Sequence, residues 1–183
     1  MNAKEYFIEK SKTFFLDAGF EKKETENPKK DSIEKIIYLH KDSKAGVFRG
    51  FDHYFMIIPK SGVKLKKEEI EEIHESFRKE VNAKIKTPRA FRFKVPNIVS
   101  VFISEENIDQ DSIDYIRDIR RPWQGGEVHN IVYFDLSSMS LYMHNRTEYS
   151  INGVVNLKLK KVDPSNRSFY FIQEMCRYAL GEE

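Results

Sequence analysis

NIVSVFISE (residues 97–105) and VHNIVYFDL (residues 128–136) are two nearly continuous apolar runs that flank one short helical pattern. Apolar runs of this kind are typical of strands that are covered on both faces. A short serine-rich turn follows the second run and leads to LYMHN (residues 141–145), a pattern that predicts a hairpin. Residues 97–144 are therefore predicted to form the centre of an α/β layer.

Two helices are predicted before this centre. The first covers residues 3–18 and ends where Gly19 can supply a left-handed C-cap. The second and clearest covers residues 65–83. Its apolar stripe consists of Ile70, Ile73, Phe77 and Val81. His74 lies one position beyond that stripe.

Two further helices are predicted within and after the centre. One lies between the two apolar runs and can be capped by Asp109 or Asp111. The last begins at Asp163-Pro164-Ser165 and is closed by Gly181. The chain therefore contains about four predicted helices.

The remaining predicted strands complete a mixed sheet. They lie at residues 36–39, 47–58, 84–95 and 155–159. Together the elements predict one α+β domain over residues 1–183, with a mixed β-sheet of about five to seven strands and about four helices. The polar composition of residues 21–34, which include Asn27-Pro28, predicts a mobile loop.

Charge and cysteine content limit the classes of function. The 31 basic and 29 acidic residues give a net charge of +2, so charge does not indicate a nucleic-acid partner, although one is left open. Cys176 is the only cysteine, which excludes a disulfide scaffold and a cysteine-rich zinc site within the chain. No apolar run approaches the roughly 18 residues of a membrane span. We therefore expect a cytoplasmic protein without a membrane partner, and the oligomeric state is left open.

Several motifs that particular kinds of catalysis or cofactor binding require are absent from the sequence. The 8 glycines form neither a P-loop nor a dinucleotide fingerprint, and no GxSxG nucleophile elbow is present. The 5 histidines show neither HxxxH nor HExxH spacing. We therefore expect no cofactor and no metal site from these motifs, and enzymatic activity is left undecided.

The segment RRPWQGGEVH (residues 120–129) carries the densest set of unusual side chains. Its arginines offer forked donors for a carboxylate or phosphate, its tryptophan offers a stacking face, and its glycines permit close approach of a ligand. The predicted binding residues are Arg120, Arg121, Trp123, Gln124, Glu127 and His129. A structural interpretation is also open, because arginine at a helix C-terminus favours the dipole and tryptophan can cover a core.

Three other features each have two interpretations. Asp135, at the end of a predicted strand, is a secondary site candidate, or it caps the hairpin turn. Cys176 lies on the apolar side of the last helix, where a cysteine is typically a small core residue rather than a nucleophile. The lysine clusters could contact phosphates, but interleaved acids and the row at an edge strand are also typical of a solvated surface.

The order of elements over residues 5–104 resembles the αβββαβ core of the restriction-endonuclease-like nucleases. The segment FFLDAGFEKKE (residues 14–24) is also similar to the helix and turn that open several of those families. The resemblance implies an aspartate on one strand and an acid-x-Lys motif on the next, which hold Mg²⁺ and activate water. Asp52 and Lys60 are the candidate catalytic residues.

This sequence departs from the nuclease pattern at one position. The residue two before Lys60 is Ile58 rather than an acid, which removes a metal ligand. A nuclease would therefore need a migrated carboxylate, for which Glu34 and Glu75 are the candidates.

Two functional hypotheses follow. The first is a non-catalytic binding or interaction module that contacts a protein or another macromolecule through residues 120–129. The second is a divergent Mg²⁺-dependent nuclease, and only this hypothesis requires a metal.

Overall fold

The computed structural model of the protein describes most of the chain. The described residues are 3–23, 36–44, 50–60, 62, 64–88, 94–118, 123–124, 127–143, 150–151, 154–155 and 164–181. The helices in these ranges are α1 (Ala3–Asp17), α2 (Lys67–Lys84), α3 (Gln110–Arg117) and α4 (Pro164–Leu180). The strands are β1 (Glu21–Lys23), β2 (Ile36–Lys44), β3 (Gly50–Lys60), β4 (Lys94–Ser104), β5 (Trp123–Gln124), β6 (Glu127–Asp135), β7 (Ser140–Met143), β8 (Ser150–Ile151) and β9 (Val154–Val155).

One mixed sheet contains seven of these strands, in the order β1-β2-β3-β4-β6-β5, with β7 also paired to β6. Strands β1, β2 and β3 are antiparallel neighbours, whereas β3, β4 and β6 run parallel to one another. Parallel neighbours need a crossover connection, and α2 and α3 occupy the two crossovers. Strands β8 and β9 form a separate antiparallel pair.

Strand β4 is covered on both faces, as its apolar run predicts. Ile98 and Phe102 pack in a cluster that includes residues of α2 and α3. Val99, Val101 and Ile103 face the opposite way and pack in a cluster that includes residues of α1 and α4. The alternation follows from the two-residue period of a strand. Helices therefore cover both faces of the sheet.

The end of α1 confirms the predicted C-cap. Gly19 has a φ of +82°, a conformation that glycine adopts without strain. The backbone N–H of Phe20 donates to the carbonyl of Phe15 at 2.9 Å. The two phenyl rings then meet edge to face with centroids 5.1 Å apart. Phe20 thus folds back onto the helix.

The predicted α+β class is confirmed, with a mixed sheet and four helices in the described ranges. The prediction of five to seven strands is slightly high for the body of the sheet, which consists of the four long strands β2, β3, β4 and β6. Strands β1, β5 and β7 are short additions of 3, 2 and 4 residues. Among the helices that the structure describes, none has the length and apolar character needed to cross a membrane.

Two predicted segments differ in detail. The predicted loop at residues 21–34 begins as strand β1, because Glu21–Lys23 pairs with β2. Its residues 24–34 lie outside the described ranges. The predicted hairpin of the second apolar run is present as β6 and β7, which pair from Val132 to Asp135. The predicted strand at 155–159 lies outside the described ranges except for Val155.

Helix α2 buries a different stripe from the predicted one. Ile70, Phe77 and Val81 are buried as predicted, but Ile73 is only half-buried. His74, predicted to lie beyond the stripe, has 1% of its surface exposed. The buried positions are spaced by four, three and four residues, which forms one continuous line along a helix. An imidazole is tolerated on this line because it has hydrogen-bond partners in the sheet.

Candidate functional site

A group of buried and half-buried polar side chains lies between helix α2 and the sheet. Its members are His74, Arg78 and Asn82 of α2, Ser100 of β4, and Glu127 and His129 of β6. We name this group the α2 polar cluster. The three helix residues are spaced by four and therefore lie on one face of α2. The two residues of β6 are spaced by two and therefore lie on one face of the sheet.

Ser100, His74 and His129 form a chain of hydrogen bonds. Oγ of Ser100 lies 2.8 Å from Nδ1 of His74. Nε2 of His74 lies 2.9 Å from Nδ1 of His129. The three side chains are 0%, 1% and 3% exposed, respectively. Because Oγ of Ser100 is closed to solvent, this chain joins the helix to the sheet but does not present an accessible nucleophile.

In the rest of the cluster, the carboxylate of Glu127 accepts hydrogen bonds from two side chains of α2. Arg78 donates to Oε1 of Glu127 from Nε at 2.8 Å and also from Nη2. Asn82 donates from Nδ2 to Oε2 at 2.6 Å. A third contact of the guanidinium, from Nη1, goes to Glu75. The carboxylate is fully buried, and its bonds satisfy both of its oxygens.

The charge of Arg78 is stabilised in this position. Burial by itself lowers the pKa of the guanidinium, but the hydrogen bond and charge of Glu127, followed by those of Glu75, raise that pKa overall. The guanidinium therefore keeps its charge at every pH at which the protein is folded. Arg78 and Glu127 form an ion pair between α2 and β6.

The predicted binding segment, residues 120–129, is partly a strand pair. Trp123 pairs with Val128, and Gln124 pairs with Glu127, in the antiparallel contact of β5 with β6. Glu127, predicted as a loop residue, and His129, predicted near the start of the second apolar strand, both lie on the face of β6 that meets α2. Arg120 and Arg121 lie outside the described ranges. The structure thus brings Glu127 and His129 together with α2, and it pairs the backbone of Trp123 and Gln124 with β6.

The two candidate catalytic residues of the nuclease hypothesis lie at opposite ends of β3. Asp52 pairs in register with Pro96, and Lys60 pairs with Ser104. Eight residues of a strand span about 26 Å, so the backbone positions of Asp52 and Lys60 are too far apart for one metal site. Nζ of Lys94 lies 3.6 Å from the carboxylate of Asp52. Ile58 is buried in the core.

Of the two candidate substitute carboxylates, the structure describes only Glu75. Glu75 is engaged with Arg78 on α2. Glu34 lies outside the described ranges. Within the part of the chain that the structure describes, no group of three or more His, Cys, Asp and Glu side chains is arranged to hold a metal ion.

Asp135 caps the turn between β6 and β7. Its carboxylate accepts hydrogen bonds from the backbone N–H and the hydroxyl of both Ser137 and Ser138. Burial alone would raise the pKa of Asp135, but the bonds from the two serines lower it overall. Ligand sites at the carboxyl ends of parallel strands occur where successive crossovers leave to opposite faces. Because α2 and α3 pack on the same face of the sheet, Asp135 does not lie where successive crossovers change face. Its role is the structural one of capping the turn.

A second buried polar pair lies on the other face of the sheet. Nδ2 of Asn97 lies 2.8 Å from Nδ1 of His53. Both residues belong to adjacent parallel strands and are paired in register. This pair is separate from the α2 polar cluster, since alternate strand residues point to opposite faces.

Sequence reasoning missed four members of the α2 polar cluster. Ser100 lies inside an apolar run, and Arg78 and Asn82 look like the solvated side of α2. The available signal was the spacing of His74, Arg78 and Asn82 by four residues, which places three polar groups in one row beside the apolar stripe.

No family model matches the sequence, and no curated protein matches it significantly. The function of the protein is therefore inferred from the geometry of its own side chains.

Proposed function

We propose that the protein is a non-catalytic binding module that contacts a protein or another macromolecule through residues 120–129. The observation that carries this proposal is the attachment of Glu127 to helix α2. The carboxylate is fully buried and accepts hydrogen bonds from Arg78 and Asn82. The end of the segment is thereby fixed, and a fixed segment loses less conformational entropy when it binds.

The composition of the segment supports the same proposal. Tryptophan and arginine are the residue types that most often dominate the binding energy of protein interfaces. Trp123, Arg120 and Arg121 supply both types within the seven residues before Glu127. The single cysteine, Cys176, is in keeping with a reducing cytoplasm, which we propose as the location of this activity.

Site-specific photo-crosslinking in cells tests whether the segment contacts a partner. A photoreactive amino acid at Gln124 should capture one discrete partner. The matched control carries the same group at Ser76, an exposed position of α2, and should not capture that partner. Equal capture at both positions would contradict the proposal.

A variant with Arg121→Ala and Trp123→Ala separates binding from folding. We expect the captured partner to be lost while the urea midpoint of unfolding is unchanged. A lower midpoint with unchanged capture would mean that the segment is structural.

A second candidate function is a divergent Mg²⁺-dependent nuclease. It is supported by the succession of α1, the antiparallel strands β1, β2 and β3, the helix α2 and the parallel strand β4, which is the αβββαβ order. The distance between Asp52 and Lys60 argues against those two residues as its metal site. Incubation of the protein with plasmid DNA and Mg²⁺ tests it, and cleavage that Asp52→Asn abolishes would favour it over the binding module.

A further inference from the structure

The hydrogen bonds of His74 limit the number of protons that it and His129 can hold. In the neutral pair, one hydrogen lies between Nε2 of His74 and Nδ1 of His129, which are 2.9 Å apart. Ser100 completes the chain, because its hydroxyl can either donate to Nδ1 of His74 or accept from it.

One extra proton fits this chain without loss of a hydrogen bond. His74 then donates from Nδ1 to Ser100 and from Nε2 to Nδ1 of His129. A second extra proton does not fit. It would place an N–H on both of the facing nitrogens and two positive charges within the same buried space, which is strongly unfavourable.

The charges of the neighbouring side chains also balance one extra proton on the His74–His129 pair and not two. One helical turn along α2 from His74, Arg78 pairs with Glu75 of the same helix and with Glu127, which lies two residues from His129 on β6. Two carboxylates and one guanidinium sum to −1, so one imidazolium brings the total to zero, and a second makes it positive.

Other titratable groups on this side of the sheet do not change that balance. Among the described residues, they include the phenols of Tyr54, Tyr115, Tyr133 and Tyr142, and a phenol ordinarily carries no charge at neutral or acid pH. Strand β4 contributes Ser100, which carries no charge. Other charged groups on this face are engaged elsewhere: Asp52 with Lys94, Asp135 with its two serines, Lys67 over Tyr115, and Arg117 over Tyr142.

We propose that the hydrogen-bonded pair of His74 and His129 is an acid-sensitive connection between helix α2 and strand β6, because the pair admits one extra proton but not two. We name this connection the lock. In the unfolded chain both rings take up a proton near pH 6.5. Below that pH the unfolded state therefore binds one more proton than the folded state. Because stability falls where the unfolded state binds more protons, the lock weakens as the pH decreases.

The size of the effect follows from the number of excluded protons. One excluded proton raises the unfolding equilibrium constant about tenfold for each pH unit below 6.5. With the one admitted proton bound equally by the folded and unfolded chains, the expected increase between pH 7.5 and pH 5.5 is about tenfold. This inference does not depend on the proposed binding role of residues 120–129.

Urea unfolding at these two pH values tests the lock. The comparison is between the natural protein and the double variant His74→Gln with His129→Gln, in which neither side chain titrates. We expect the natural protein to show about a tenfold larger increase in the unfolding constant than the double variant. The control His53→Gln, which alters the buried pair on the other face, should keep the tenfold difference. Equal increases in the natural protein and the double variant, or a hundredfold difference, would overturn the proposal.

NMR of the imidazole nitrogens tests the proton count in the natural protein, so it does not depend on whether the variant folds. The four ring nitrogens of His74 and His129 should carry two protons at pH 7.5 and three at pH 5.5. Four protons in the folded protein would refute the lock, and two at pH 5.5 would refute the uptake of a first proton.

Hydrogen exchange locates the effect within the molecule. After correction for the intrinsic pH dependence, the amides of α2 should lose more protection between pH 7.5 and pH 5.5 than those of α1, which packs on the opposite face. Equal loss in both helices would show that the lock does not act on α2.

Discussion

Arg78 and Glu127 form an ion pair that joins helix α2 to strand β6 across 49 residues of sequence, and the carboxylate has no exposed surface. A buried charge is tolerated only when its partner and its hydrogen bonds are in place. Asn82 supplies the further bond that the carboxylate needs. Attachment of α2 to the sheet therefore depends on this pair as well as on apolar packing.

Replacement of Arg78 by Met should destabilise the protein by about 3–5 kcal/mol, because it leaves Glu127 buried without its cation. Equilibrium unfolding in urea measures the loss. Lys84→Met is the matched control on the same helix, since its ion pair with Glu80 is exposed, and it should cost less than about 1 kcal/mol. The double variant Arg78→Met with Glu127→Leu should be more stable than Arg78→Met alone. Similar losses for Arg78→Met and Lys84→Met would show that the buried pair contributes little.

The first turn of α3 should depend on Asp109. Its carboxylate accepts a hydrogen bond from the backbone N–H of Ser112 at 2.8 Å, the geometry of an N-cap. Asp109→Ala should cost about 1 kcal/mol, whereas Asp109→Asn should cost only a few tenths, because asparagine caps as well as aspartate. Asp111→Ala, in the same turn, is the control. A loss at Asp111 as large as at Asp109 would argue against the cap.

Asp135 should give the protein a component of stability that acid removes. The pKa of this carboxyl is lowered in the folded state. Its contribution to the free energy of unfolding is therefore present above the ordinary pKa of about 3.9 and is lost as the pH falls through the lower pKa of the folded state. Asp135→Asn should remove this acid-dependent component and cost about 1–3 kcal/mol at pH 7. Urea midpoints between pH 7 and pH 2 measure both effects. An unchanged acid profile in the variant would contradict the assignment.

Cys176 should be unreactive in the folded protein. Burial raises the pKa of its thiol to about 12, and the thiolate is the reactive form. Iodoacetamide at pH 8 should therefore modify the natural protein many times more slowly than the protein in guanidinium chloride. Mass spectrometry of timed samples measures both rates. Comparable rates would mean that the carboxyl-terminal half of α4 opens readily.

The parts of the fold that sequence predicts well are those set by neighbouring residues. The C-cap at Gly19 needs only a short local pattern, and the strand β4 is evident because its apolar run is continuous. The hairpin of β6 and β7 is likewise local, since a short turn joins the two strands.

The candidate site was harder to predict because its partners are distant in the chain. His74 meets a residue 55 positions away, and Glu127 meets Asn82 45 positions away. A histidine beside an apolar stripe looks solvated until the sheet supplies an acceptor. Glu127 looked like a loop residue because two glycines precede it, whereas it is the first residue of a buried strand. Only the pairing of β6 with β4 makes these positions internal.

The outer side of β6 is divided between two short strands. Strand β5 pairs at Glu127 and Val128, and β7 pairs from Val132 to Asp135, so only residues 129–131 lie between them. The stretch of β6 between the two short strands has three residues, fewer than an ordinary strand uses. The segment IVYFD (residues 131–135) has the composition that promotes intermolecular β-pairing. The two short strands therefore protect this side of the sheet against edge-to-edge aggregation.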